Sequence, residues 1–157
     1  MDFTVEDGKI RFGLLAVKNV GRAFIEALVR DRDARGEYKS FSDFINRLTG
    51  TDINKRAVES LISCGAFDSM GLKRRPLMMA HEFALQDATD KKRNNIAGQM
   101  SLFDDLEETH EIVLPDVDEY EKRELLRLEK KSTGMYFSGH PMEEYELELR
   151  KITKHNT

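Results

Sequence analysis

Carboxylates at Asp-x-Asp spacing can hold the metal ions of phosphoryl transfer, and this chain has two such pairs, Asp31/Asp33 and Asp116/Asp118. That chemistry needs carboxylates clustered on a rigid element, holding Mg²⁺ ions about 4 Å apart. Here one pair falls at the expected end of a helix and the other at the expected start of another, so both read as solvated surface. His81, His110, His140 and His155 lack metal-ligand spacing,. Cys64 is the only cysteine, so no internal disulfide forms, and it reads as a small core residue,. No Walker A or dinucleotide-binding glycine pattern occurs. The residues present therefore point away from catalysis and from a cofactor or metal.

Binding chemistry is better represented. Val20-Gly21-Arg22-Ala23-Phe24-Ile25-Glu26-Ala27-Leu28-Val29 is echoed 33 residues later by Ile53-Asn54-Lys55-Arg56-Ala57-Val58-Glu59-Ser60-Leu61-Ile62. Glu and Leu match outright, and five further positions match in kind. The offset suits an ankyrin repeat, but only two copies exist and the Thr-Pro-Leu-His signature is absent. Two helix-hairpin pairs related by a pseudo-twofold axis explain the pattern better. Each copy presents a turn followed by a helix N-terminus, where free N–H groups and the positive dipole end favour phosphate. Lys18, Asn19, Val20, Gly21 and Arg22 form the first candidate contact, and Asn54, Lys55 and Arg56 the second. Two such turns can hold a duplex backbone without reading its sequence. A repeated packing unit with no ligand is the other reading.

The elements that must position these residues are helical. Met1–Lys9 reads as a ragged polar entry and Ile10–Gly13 as a short extended piece. A first helix is expected over about Leu14–Lys18, a turn at Asn19–Gly21, and a helix over about Arg22–Arg32. Ser40 with Asp43 three residues on fits a capping box opening a helix through about Leu48. Asn54 is an N-cap for a helix reaching Ser63, with Gly65 as its stop. Pro76 suits the first turn of a helix through about Lys92. A loop from Asn94 to about Asp116, a charged helix over Asp118–Thr133 stopped by Gly134, a turn at Gly139–Pro141 and a short helix over Met142–Lys151 complete the chain. Val17, Phe24, Leu28, Phe44, Leu48, Val58, Leu61, Ile62 and Phe67 are the expected core.

Charge divides the chain. Residues 1–95 carry 17 Lys and Arg against 14 Asp and Glu, whereas residues 96–157 carry 8 against 15. A mildly basic first part suits an anionic partner, and the acidic second part would oppose one. Apolar runs reach only four or five residues, so no membrane span or signal peptide is expected, and a cytoplasmic protein is.

Three blocks carry a resemblance. Ile10 to Gly21, then Asn54-Lys55-Arg56…Glu59-Ser60-Leu61-Ile62…Gly65-Ala66-Phe67-Asp68, then Glu129-Lys130…Gly134-Met135-Tyr136-Phe137-Ser138-Gly139-His140-Pro141 are similar, in order, to stretches of bacterial replicative DNA polymerase alpha subunits, the DNA polymerase III family. The resemblance implies an all-α tandem helix-hairpin-helix region contacting the duplex that leaves the active site. It also implies a DNA-directed DNA polymerase as parent, with palm carboxylates upstream and an OB-fold downstream, so this piece would be non-catalytic. Asn19 stands where the family often has the first Gly of a Gly-x-Gly turn. Asn tolerates the left-handed conformation, so the turn can survive.

Within that family, Gln99-Met100-Ser101-Leu102-Phe103 resembles the sliding-clamp-binding pentapeptide. Leu102 and Phe103 are adjacent apolar residues in a polar loop, a combination that calls for a partner. The expected organisation is a tandem helix-hairpin-helix domain over 1–93, a flexible loop with the clamp peptide over 94–116, and a helical extension over 117–157. Expected partners are the duplex DNA backbone, the sliding clamp and the remaining polymerase domains. The alternatives are a helix-hairpin-helix module of another replication or repair protein, and a helical scaffold that binds protein alone.

Overall fold

The computed structural model describes residues 3–6, 8–96 and 111–145. Five α-helices dominate it: α1 (Arg22–Arg35), α2 (Phe41–Leu48), α3 (Lys55–Ser63), α4 (Arg74–Ile96) and α5 (Lys122–Thr133). The all-α expectation therefore holds in the main, with one correction at the start of the chain. The entry is an antiparallel hairpin, β1 (Thr4–Glu6) paired with β2 (Lys9–Arg11), turned at Gly8 with φ of 73°. Val5 and Ile10 pair across it. Phe3 packs edge-on against Phe12, and Phe12 against Phe137, with ring centroids 4.9 and 5.0 Å apart. Polar composition hid this hairpin, because its support comes from an aromatic residue 125 positions away from Phe12.

The expected helix over Leu14–Lys18 is only one 3-10 turn, Leu14–Ala16. Helices α2 and α3 begin where their capping chemistry places them. Ser40 accepts a hydrogen bond from the Asp43 N–H at 3.1 Å, and Asn54 accepts one from the Ala57 N–H at 3.0 Å. Each satisfies an N–H that the first helical turn leaves unpaired. Gly36 (φ 83°) and Gly134 (φ 80°) end α1 and α5 in conformations that only glycine adopts cheaply,. The charged helix starts at Lys122 rather than Asp118, because Asp116–Glu121 is drawn out along the domain surface. A 3-10 turn, Glu143–Tyr145, stands where a last helix was expected; residues 146–151 of that expectation lie outside the described residues.

The core is shared by the two hairpin pairs. All nine expected core residues are buried in one cluster with Val20, Ile25, Phe41, Ile45, Ala57 and Leu77 among others. Phe41, Phe44 and Phe67 pack on one another with centroids 5.0–6.4 Å apart. α3 packs on α4 and α5, and α2 on α1 and α4. Small Ala84 and Ala88 on the inner face of α4 allow close approach. His81 is buried on the same face, its Nδ1 2.7 Å from the Met78 carbonyl. Cys64 is half-buried, and burial pushes its thiol up to about 11.

Two ionic hubs lock the elements. Arg47 of α2 bonds Asp31 of α1 through Nε at 2.8 Å, and bonds Asp43 and the Gly36 carbonyl through its terminal nitrogens. Its guanidinium lies 4.2 Å over the Tyr38 ring. Burial works to raise the Asp31 carboxyl, but hydrogen bonds and the charges of Arg47 and Arg35 outweigh it and hold it low. The second hub joins the far end of the chain to the hairpin domain. Arg74 bonds Asp68, the Ser63 carbonyl and Glu129 of α5, the last at 3.0 Å. Glu129 is fully buried and also accepts from the Phe137 and Ser138 N–H groups at 2.7 and 3.1 Å. Ile112 donates its N–H to Ser42 at 2.7 Å. The Glu119 carboxylate accepts from the Arg74 and Arg75 N–H groups, which caps α4 from 45 and 44 residues away. A carboxylate at a helix N-terminus gains from both hydrogen bonding and the dipole. Residues 111–121 and α5 are thus laid against the hairpin domain.

Candidate nucleic-acid interface

The first hairpin runs from the 3-10 turn through Val17–Val20 into α1. Val17 and Val20 are buried and anchor it, leaving Lys18, Asn19, Gly21 and Arg22 exposed. Asn19 has φ of 63°, so it supplies the left-handed residue of the turn. Its side chain also donates to Ser60 Oγ at 3.1 Å, tying this hairpin to α3 of the second pair. The Lys18 N–H donates to the Ser132 carbonyl in the last turn of α5, at 2.8 Å. Gly21 is the N-cap of α1, in extended conformation, and offers no side-chain cap. The first N–H groups of α1 thus have no intrahelical acceptor, and Gly21, Arg22 and Ala23 at that end are exposed,. A Cβ on Gly21 would meet nothing within 4 Å. Neither φ nor internal packing calls for glycine there.

The second hairpin, Thr49–Asn54, joins α2 to α3 and is arranged differently. Gly50 supplies the positive φ, at 90°. Asn54 caps the helix with its own side chain. The Lys55 ammonium pairs with Glu82 of α4 at 2.5 Å, with both side chains about half exposed. Lys92 reaches in from α4 to the Thr49 carbonyl at 2.8 Å. Arg56 is exposed. The two candidate contacts thus share a core and one hydrogen bond, but among the described residues only the second has a side-chain cap at its helix N-terminus.

The Asp-x-Asp pairs lie in unrelated surroundings. Asp31 is taken by Arg47 and Arg35, Asp33 by Arg32, and Asp118 lies 3.7 Å from Lys73. Among the described residues no three His, Cys, Asp or Glu side chains are placed to hold a metal ion. No helix among them is long and apolar enough to cross a membrane. Gln99, Met100, Ser101, Leu102 and Phe103 lie outside the described residues.

Sequence reasoning missed Ser60, Ser132 and Glu129. Glu129 stood in a resembling block, which was its one signal. Ser60 also stood in one, but neither it nor Ser132 carried a sign of its partner, which lies 41 and 114 positions away respectively.

This hairpin geometry defines a helix-hairpin-helix protein, and residues 1–77 match the helix-hairpin-helix motif family. The whole chain is related to DNA polymerase III alpha subunits and belongs to that family as a segment of it. It is 38% identical over 146 residues to DNA polymerase III subunit alpha of Mycobacterium leprae, covering 90% of this chain and 12% of the relative. The same subunit of Thermus aquaticus is 39% identical over 144 residues, covering 92% and 12%. That of Borreliella burgdorferi is 35% identical over 159 residues, covering 99% and 14%. The chain therefore spans about an eighth of the length of the curated relatives it matches.

Proposed function

We propose that this chain is the duplex-binding and clamp-tethering segment of a bacterial replicative DNA polymerase, and that the chemistry of polymerisation lies outside it. The observation that carries the DNA reading is the open N-terminus of α1. Free N–H groups, an exposed Lys18 and Arg22 and a glycine that nothing internal requires leave room for a phosphate to approach the backbone,. The contact is with the backbone, so it is independent of sequence and depends steeply on salt. Asn54, Lys55 and Arg56 form the second, weaker contact, and Lys55 must leave Glu82 to make it.

The clamp reading rests on Gln99–Phe103 and on the family. Burying Leu102 and Phe103 contributes roughly 3–6 kcal/mol gross. Ordering the segment and losing rigid-body freedom consume much of that, so the peptide alone binds in the micromolar range or weaker. Tethering on shared DNA raises the effective concentration enough to compensate. In this reading residues 1–93 bind the duplex, 94–116 carry the clamp peptide, and 117–157 lead towards the rest of a cytoplasmic polymerase.

Titration of a duplex at low salt tests the first half. If about four phosphates are engaged, log K falls with log salt at a slope near −3.6. Lys18→Glu with Arg22→Glu should weaken binding in a chain of unchanged helicity. Unchanged affinity would favour the protein-only scaffold. For the second half, Leu102→Ala with Phe103→Ala should abolish binding to a purified clamp while duplex affinity stays the same. Equal clamp affinity would sink the tether.

A further inference from the structure

The acidic second half of the chain would be expected to repel DNA, yet the structure sorts its charges. On α5 the buried side chains are Leu126, Leu128, Glu129 and Ser132. Arg123, Arg127, Lys130 and Lys131 are all exposed. At 3.6 residues per turn these four fall within about 100° of arc, on the face opposite the buried one. Of the two carboxylates on α5, Glu129 is fully buried and bound to Arg74, while Glu124 is held by Arg127 at 2.5 Å. Lys130 lies 5.1 Å over the ring of Tyr136, which lines a shallow groove with Arg123, Arg127 and Lys131 and with two carboxylates, Glu121 and the Arg127-bound Glu124, so the cations outnumber the acids there. The exposed face of this helix is therefore basic in a region that is acidic overall.

Its position gives the stripe a partner. The last turn of α5 is hydrogen-bonded to the first hairpin, Lys18 N–H to Ser132 carbonyl at 2.8 Å. Lys131 is the residue before that acceptor. The stripe thus begins beside the hairpin proposed to hold a phosphate and runs away from it for about 12 Å, at 1.5 Å per residue from Lys131 to Arg123. A duplex strand presents a charge about every 3.4 Å of axis, so a surface of that length spans several phosphates.

We propose that Arg123, Arg127, Lys130 and Lys131 of α5 form a second duplex-backbone contact, continuous with the Lys18–Arg22 hairpin. The proposal rests on the hairpin reading for its partner. It reverses one expectation for the second half: α5 adds to DNA binding, and the net acidity resides elsewhere in that half.

The test uses the full 157-residue chain, with circular dichroism as the folding control. Duplex affinity is measured against salt for the parent, for R123Q/K131Q and for K18Q/R22Q. All four side chains are exposed, so both double variants should keep the fold. If two phosphate contacts are lost, the salt slope of R123Q/K131Q should be shallower by about 1.8. Between 50 and 200 mM salt the parent should then lose roughly ten-fold more affinity than the variant. An unchanged slope and affinity in R123Q/K131Q, with K18Q/R22Q weakened, overturns the α5 contact and leaves the hairpin reading standing. Weakening in R123Q/K131Q alone removes the hairpin and the continuity argued from it, and so overturns the proposal as stated. Loss of heparin binding with duplex binding intact marks a general polyanion patch and also overturns it.

Discussion

Glu129→Gln tests whether the second ionic hub joins the helical extension to the hairpin domain. The substitution keeps the shape and removes the charge. In the parent, one carboxylate oxygen faces the Arg74 guanidinium at 3.0 Å, and the other accepts from the Phe137 and Ser138 N–H groups. A glutamine carbonyl can serve one side only, and its NH₂ then faces a donor on the other. Removing one partner of a buried pair typically costs about 3–5 kcal/mol. Arg74 keeps Asp68, at 2.6 Å, so the lower end, about 3 kcal/mol, is expected. For a chain of this length that is a fall in Tm of roughly 6–12 °C. The effect should depend on pH. Burial pushes the Glu129 carboxyl up, but the backbone hydrogen bonds and Arg74 outweigh it and hold it below the ordinary 4.5. A depressed carboxyl contributes stability that is present in full above its unfolded value and lost as pH falls through the folded one. The gap between parent and variant should therefore be constant from pH 7 down to about 5 and close progressively below 4.5. Thermal unfolding followed by circular dichroism at pH 7, 5 and 3.5 measures it. A Tm within about 1 °C of the parent at pH 7, or a gap that does not close in acid, would refute this account of the joint.

Two substitutions probe the remaining local arguments. Arg47→Lys should cost about 2–3 kcal/mol in urea unfolding. A single ammonium cannot span Asp31, Asp43, the Gly36 carbonyl and the Tyr38 ring together, and a loss below about 0.5 kcal/mol would show that the fork geometry is dispensable,. Gly65→Ala should cost more than the roughly 1–2 kcal/mol of a left-handed non-glycine residue, because φ is 79° and the new Cβ would meet the Arg74 guanidinium and the Asp68 carboxylate,. Pairing it with Arg74→Ala should then give less than the sum of the two losses, and strict additivity would count against that contact.

Much of the hairpin domain was legible because its signals are local. Ser40, Asn54 and Gly65 act on N–H groups or dihedrals within three residues, so the bounds of α2 and α3 follow from the sequence. The 33-residue echo placed Val20 beside Ile53 in role, and hydrophobic spacing alone picked out Phe24, Leu28, Val58 and Leu61 as core. Asn19 as the left-handed turn residue was readable from its side chain's tolerance of that conformation,. What only the tertiary structure decided is how charge and polar groups are spent. Lys55 looks free in sequence and is paired with Glu82, while Lys18 and Arg22 stay exposed. Glu119 looks like one more acid of the tail and caps α4. Glu129 looks like a surface residue of a charged helix and lies fully buried between Arg74 and two backbone donors. The physical reason is shared: a charge's partner is set by proximity in space, over separations of 27 to 55 residues here, and periodicity reports only which way a side chain faces,.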